Sequence, residues 1–265
     1  MGAPYRPFRP KRSLDQYFLV DRAVLERERD LAEISPSDTV LEIGAGTGNL
    51  TRLLAERAGK VFAVEKDRSL ATMLSRTTPE NVEVVVGDAL KVEFPAFDKL
   101  LGNVPYSIST PLLLKAFRHR FSLGVLCLQY EFALRMVAQP GTSDYSRLSV
   151  LTALNTEKVE LICRVPRTAF RPSPRVDSAV VRFVPRPSGV DRTTSEVIRM
   201  MFCHKRKTLA NALRDSRREL QSLLDLDWRE AVRLVGKERA RRVLELSPVE
   251  VLEVARRISQ GAGGE

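Results

Sequence analysis

Histidine and cysteine are scarce in this chain of 265 residues: two of the first, His119 and His204, and three of the second, Cys127, Cys163 and Cys203. The cysteines are odd in number, far apart and form no CxxC pair, which excludes a disulfide framework and fits a reduced compartment. No set of four soft or imidazole ligands can be drawn from this inventory at a workable spacing, so no metal site is expected. The thiols read instead as small buried apolar side chains. No apolar run approaches about 18 residues, so no transmembrane helix is expected. The basic, proline-bearing start leads into no apolar segment and is not a secretory signal. Internal repeats are also missing. A cytoplasmic protein without a membrane partner is the expectation these absences leave.

What is abundant is positive charge, +10 net, and it is unevenly placed. Residues 1–12 carry four basic and no acidic side chains, residues 13–185 carry 22 and 21, and residues 186–265 carry 17 and 12. The excess sits at the two ends. A polyanion partner is the simplest reason for such a bias, because Lys and Arg that neutralise phosphates release counterions. A solvated basic surface is the alternative.

The apolar pattern changes along the chain. Thr39–Ile43, Val61–Val64, Val82–Val86, Lys99–Asn103 and Val125–Gln129 read as short strands, several ended by a glycine. Helical spacing lies between them, over 13–34, from Asn49 to Ala58, around Leu70–Leu74, from Pro111 to Phe117 and from Phe132 to Ala138. Val159–Cys163 and Ser178–Phe183 follow as strands without an intervening helix, as an antiparallel edge requires. Alternating strands and helices predict an α/β doubly wound domain over 13–185 with a parallel sheet covered on both faces. Pro185, Pro187 and Ser188-Gly189 mark a linker. Beyond it Glu196–Leu213, Trp228–Val235, Lys237–Leu244 and Pro248–Ile258 predict a small all-helical domain over 186–265, after a flexible basic arm over 1–12.

The loops after the strands carry the chemistry. Gly44-Ala45-Gly46-Thr47-Gly48 follows the first strand and opens a helix, where glycines let the backbone come close to a ligand that a Cβ would exclude. Glu65 ends the second strand, where a ribose hydroxyl would find an acceptor. The loop alone leaves a dinucleotide open, but the spacing is GxGxG, Glu42 precedes it, and a nucleoside ligand has no pyrophosphate to cradle. Asp88, after Gly87, then offers a carboxylate to an adenine N6 amine, with Lys66 and Ala89 as neighbours in the same pocket. Asn103-Val104-Pro105-Tyr106 follows the fourth strand. A planar amine such as adenine N6 is a poor nucleophile because its lone pair is delocalised. A side-chain amide and a backbone carbonyl that accept both of its N–H groups favour pyramidal geometry, and Tyr106 can stack on a base swung out of its strand. Neither a metal nor a histidine base is required, since alignment against a sulfonium leaving group carries much of the barrier.

Asn103–Ser109 resembles the motif of the rRNA adenine N6,N6-dimethyltransferases of KsgA type, and the resemblance runs over nearly the whole chain. Ser13–Leu19, Gln129–Ala133 with Arg135, Tyr145–Ser149, Phe170–Ser178 and Arg206–Leu209 with Asn211 and Leu213 are each similar to a stretch of that family, in the same order. Asp15 stands where the family has Gly, and Tyr17 where it has Asn or His. The resemblance implies a Rossmann-like class I methyltransferase domain using S-adenosyl-L-methionine, with Gln16, Tyr17, Leu19, Gly44, Gly46, Glu65, Lys66, Asp88, Ala89 and Asn103 around the cofactor. It implies that Asn103, Val104, Pro105, Tyr106 and Phe170 hold the target adenine. The implied reaction is dimethylation of two adjacent adenines near the 3′ end of small-subunit rRNA, on a 30S-type precursor, tied to ribosome biogenesis. Lys205, Arg206, Lys207, Arg214 and Arg217 recur at roughly helical spacing and read as phosphate contacts. A monomer is expected, since no heptad run demands a dimer. Rival readings are a large-subunit rRNA methyltransferase of the antibiotic-resistance type, a non-catalytic RNA-binding assembly factor of the same fold, and a DNA adenine methyltransferase.

Overall fold

The computed structural model describes residues 16–261; the basic arm, Asp15 and the glycine-rich end lie outside the described residues. The chain forms two compact units, residues 16–133 with 160–185, and residues 134–159 with 186–261. The first unit ends at Pro185, and residues 134–159, expected with the sheet, group with the second unit.

The sheet strands are β2 (Thr39–Ile43), β3 (Lys60–Glu65), β4 (Val82–Val86), β5 (Lys99–Asn103), β6 (Leu123–Gln129), β7 (Thr156–Val165) and β9 (Ser178–Pro185). Their order is β4-β3-β2-β5-β6-β9-β7. The five strands from β4 to β6 run parallel, and β9 pairs antiparallel with β6. Helices α1 (Arg22–Leu31), α2 (Asn49–Ala55), α3 (Arg68–Thr77) and α4 (Ser109–Ala116) lie between the strands in sequence. This is the doubly wound α/β fold that the alternating pattern predicts. β6 is buried at every position but the last, as a central strand covered on both faces must be. The chain reverses its strand order at β2, so the carboxyl ends of β2 and β5 border the crevice where open α/β sheets bind ligands.

A second, two-stranded sheet was not legible beforehand: β1 (Phe18–Leu19) pairs antiparallel with β8 (Phe170–Arg171), Leu19 opposite Phe170. Asn49 donates from Nδ2 to the Leu19 carbonyl at 2.8 Å, and Val20 N–H donates to the Ala169 carbonyl at 2.9 Å. Helix α1 starts where Asp21 accepts from the Ala23 and Val24 N–H groups at 3.0 and 3.2 Å. It turns Leu25 and Glu28 inward.

In the second unit, α6 (Arg147–Asn155), α7 (Arg192–Cys203), α8 (Leu209–Asp215), α9 (Arg217–Leu224), α10 (Trp228–Leu234) and α11 (Pro248–Gly261) are helical; α5 (Tyr130–Val137) spans the division at 133. Val197, Ile198, Met201, Leu213, Val254 and Ile258 are fully buried here. The continuous helix expected over Glu196–Leu213 breaks after Cys203, and Lys237–Leu244 forms two 3-10 turns rather than a helix. One cause serves both. Lys205 and Lys207 carbonyls accept from Leu244 and Val243 N–H, and Leu209 N–H donates to the Arg241 carbonyl, so the two segments pair with each other. Of the cysteines, Cys127 is buried as expected, Cys163 is half-buried, and Cys203 is exposed at the end of α7.

Candidate active site

A cavity of the first unit opens at the carboxyl ends of the parallel strands. Its lining includes Gln16, Tyr17, Leu19, Gly44, Gly46, Glu65, Lys66, Asp88, Ala89, Asn103, Val104, Pro105, Tyr106 and Phe170. These are all fourteen positions expected at the cofactor and the target base, gathered from six separate segments of the chain.

The glycine loop packs against its neighbours more closely than a side chain would allow. Gly44 and Gly46 have φ of +75° and +57°, in the left-handed region that side chains avoid. A Cβ on Gly46 would meet the Phe18 ring at 2.9 Å, and one on Gly44 would meet the Asn103 carbonyl at 3.3 Å. Gly44 and Ala45 N–H both donate to the Val64 carbonyl, which fastens the loop to β3. Glu65 is nearly buried, and its two carboxylate oxygens accept from Gly46 N–H at 2.8 Å and Asp67 N–H at 2.7 Å. Burial raises the Glu65 carboxyl above its ordinary range, while those backbone donors oppose the rise. The carboxylate is thereby fixed in direction before any ligand arrives. Asp88 is held by Lys66 at 2.9 Å and by Leu90 N–H at 3.0 Å, and the Lys66 hydrogen bond keeps it below the ordinary carboxylate range.

At the end of β5, Asn103 Oδ1 is buried and has no hydrogen-bond partner. A buried acceptor left unpaired costs about 1–3 kcal/mol. Tyr106 shares a hydrogen bond of 2.6 Å with the Ser178 hydroxyl, and its ring lies against Tyr17 with centroids 6.0 Å apart and planes at 27°. Phe170 is 3% exposed and is held by its pairing with β1. Glu42 also lines this cavity, fully buried, its carboxyl pushed up to about 7 chiefly by desolvation.

Sequence reasoning missed Cys127 and Phe18 in the lining, and Glu28 behind it against Asn103. Leu25 and Glu28 lie three apart on the inner face of α1, so a charged residue in an apolar stripe was the available signal. Cys127 carried none, since a strand-interior thiol reads as packing.

The five basic positions belong to the second unit and are not equivalent. Lys205 donates from Nζ to the Ser143 and Tyr145 carbonyls, both at 2.7 Å, and is half-buried. Lys207 is paired with Asp215, whose carboxyl it lowers. Arg206, Arg214 and Arg217 are exposed. Among the described residues, no group of three or more His, Cys, Asp or Glu could hold a metal ion, and no helix is long and apolar enough to cross a membrane.

Sheet order, glycine loop and strand-end acids together define a class I, S-adenosylmethionine-dependent methyltransferase. Residues 8–246 match the model of the ribosomal RNA adenine dimethylase family, and the chain belongs to that family. It is 44% identical over 254 residues to the probable ribosomal RNA small subunit methyltransferase A of Methanosarcina mazei, covering 93% of this chain and 92% of that one. The protein of the same name from Thermococcus gammatolerans is 42% identical over 250 residues, covering 93% and 88%. Among solved structures, a dimethyladenosine transferase from Plasmodium falciparum superposes with a TM-score of 0.75 at 33% identity, over 89% of this chain and 95% of that one. The 23S rRNA methyltransferase ErmE superposes with a TM-score of 0.62 at 30% identity, over 92% and 100%.

Proposed function

We propose that this chain is an rRNA adenine N6,N6-dimethyltransferase that methylates two adjacent adenines near the 3′ end of small-subunit rRNA during subunit assembly in the cytoplasm, acting as a monomer. The observation that carries the chemistry is the unpaired, buried Oδ1 of Asn103 at the end of β5, beside an aromatic ring fixed by its own hydroxyl. The relatives named for small-subunit methylation, at 42–45% identity over most of their length, support the choice of substrate.

The cavity suits S-adenosylmethionine on the chemistry of its lining, with the Glu65 and Asp88 carboxylates at successive strand ends and the glycine loop beside them. Glu65 would accept from the ribose hydroxyls, Asp88 from the adenine amine, and Gln16, Tyr17 and Leu19 would cover the methionine side. When bound, the cofactor supplies an electrophilic methyl group on a sulfonium. In the first transfer Asn103 Oδ1 accepts one hydrogen of the target amine and the Val104 carbonyl accepts the other; in the second, the single remaining N–H is held by one of them. The nitrogen lone pair is thereby drawn out of the ring. Tyr106 and Phe170 bracket the base and exclude water from it. No side chain needs to remove a proton before the new bond forms, because the amine becomes acidic only as it is alkylated; the methylated nitrogen then sheds its proton to solvent as the base leaves. Of the basic positions, Arg206, Arg214 and Arg217 are the ones disposed to meet rRNA phosphates.

Incubating the protein with methyl-labelled S-adenosylmethionine and undermethylated small subunits, then analysing digested rRNA by mass spectrometry, tests this reading. N6,N6-dimethyladenosine at two neighbouring 3′-end positions is expected. Label only in large-subunit RNA would assign the chain the specificity named for ErmE, and cofactor binding with no transfer would leave an assembly factor.

A further inference from the structure

Beneath the Asn103–Tyr106 segment lies a set of buried polar groups that the transfer chemistry leaves unexplained. Glu28, 1% exposed on the inner face of α1, accepts from Asn103 Nδ2 at 3.4 Å through Oε2. Its other oxygen is buried and unpaired. The Cys127 thiol on β6 adjoins both Glu28 and Ser178, and the Ser178 hydroxyl meets Tyr106. The two ends of the motif therefore rest on side chains from α1, β6 and β9, none of them part of the motif.

Packing does not call for a carboxyl at position 28. The neighbouring inward positions on α1 and just beyond it are Leu25 and Ala32, and an apolar side chain would avoid the cost of burying an acid. Desolvation, with Glu42 on β2 adding repulsion, pushes the Glu28 carboxyl up to about 8. A carboxyl in either protonation state keeps an oxygen that accepts from an amide. With one oxygen protonated the other still accepts, and it is Oε2 that takes the nitrogen end of Asn103.

We propose that Glu28 is the positioning residue of this site: it takes the N–H end of the Asn103 amide and so presents Oδ1 as the acceptor for the target amine. Without it the Asn103 amide is free to turn over, and an N–H donor facing an amine that must itself donate opposes the reactive geometry. This rests on the amine-methylating reading above.

The test compares wild type, Glu28→Leu, Glu28→Gln, Asn103→Ala and the double variant Glu28→Leu/Asn103→Ala. It uses single-turnover methyl transfer to undermethylated small subunits, cofactor Kd and thermal unfolding. Loss of alignment in Glu28→Leu is expected to lower the transfer rate roughly tenfold or more. Its cofactor Kd should stay within about threefold of wild type and its Tm should be equal or higher. Glu28→Gln, which still offers an acceptor, should recover most of the rate. The double variant should be no slower than Asn103→Ala alone, as coupled residues require. Wild-type rate in Glu28→Leu, or additive losses in the double variant, overturns the proposal. If the wild type methylates no adenine, the functional reading fails, and a second measurement judges Glu28. In protein labelled with ¹⁵N-asparagine, the Asn103 side-chain N–H₂ signals, identified by their loss in Asn103→Ser, must move in Glu28→Leu and return toward their wild-type positions in Glu28→Gln. Signals that stay put in Glu28→Leu refute the contact.

Discussion

Gly46 is where space and conformation limit the residue together. Alanine there would face both the left-handed φ of +57° and the Phe18 ring at 2.9 Å. Gly46→Ala is expected to destabilise the fold by about 1–3 kcal/mol, visible in urea unfolding, and to weaken cofactor binding because Phe18 must move. Glu65→Ala tests the carboxylate that the Gly46 N–H holds. Loss of a fixed, charged acceptor is expected to raise the cofactor Kd by about ten- to a hundredfold, corresponding to the ~1.5–3 kcal/mol of a charge-assisted hydrogen bond. Unchanged calorimetric binding would remove Glu65 from the ribose site. Both residues were legible in the sequence because strand ends and glycine spacing announce them. Glu28 was not, because its partner Asn103 is 75 residues away and no local pattern connects α1 to the end of β5.

The strands were the easiest elements to read. β2, β4 and β5 have the expected limits, since runs of β-branched and aliphatic residues stop at a glycine or asparagine that the loop geometry needs. The misread elements are those decided by distant partners. Residues 196–213 have helical spacing throughout, yet the backbone of 205–209 pairs with 241–244 and interrupts the helix. β1 and β8, at two residues each, are too short to have a period at all. Helix α1 depends on its cap: Asp21→Ala removes the acceptor for two N–H groups and is expected to cost about 0.5–2 kcal/mol in chemical denaturation. Because α1 carries Glu28, the same change should lower the transfer rate, whereas loss of the Asp191 cap on α7 should cost stability alone.

At the scale of the molecule, ionisation divides into two opposing sets. Burial raises Glu28 to about 8 and Glu42 to about 7. Each holds a proton in the folded chain that the unfolded chain has released. Their stabilisation is therefore whole below the ordinary carboxylate range and is lost as pH rises through about 7 to 8. Glu250, lowered to about 2 mainly by Arg241, acts the other way: its contribution is present above the ordinary range and disappears as acid approaches about pH 2. Unfolding free energy should thus fall between about pH 4.5 and 8 in the wild type and vary less in Glu28→Gln/Glu42→Gln; equal slopes in urea titrations would contradict this assignment. The uneven charge of the sequence belongs to this scale as well. RNA affinity should fall steeply with salt, and replacing Arg206, Arg214 and Arg217 together should make the logarithmic slope shallower by about three.

The acid buried on α1 also sets two selective pressures against each other. Among random variants screened only for survival at high temperature, leucine should spread at position 28, because it removes a buried acid that is costly to desolvate and fills the same stripe as Leu25. Screened for methyl transfer, the same library should hold glutamate or accept glutamine. A family member from a hot habitat that kept the acid would then record how much activity its lineage refused to trade for heat resistance.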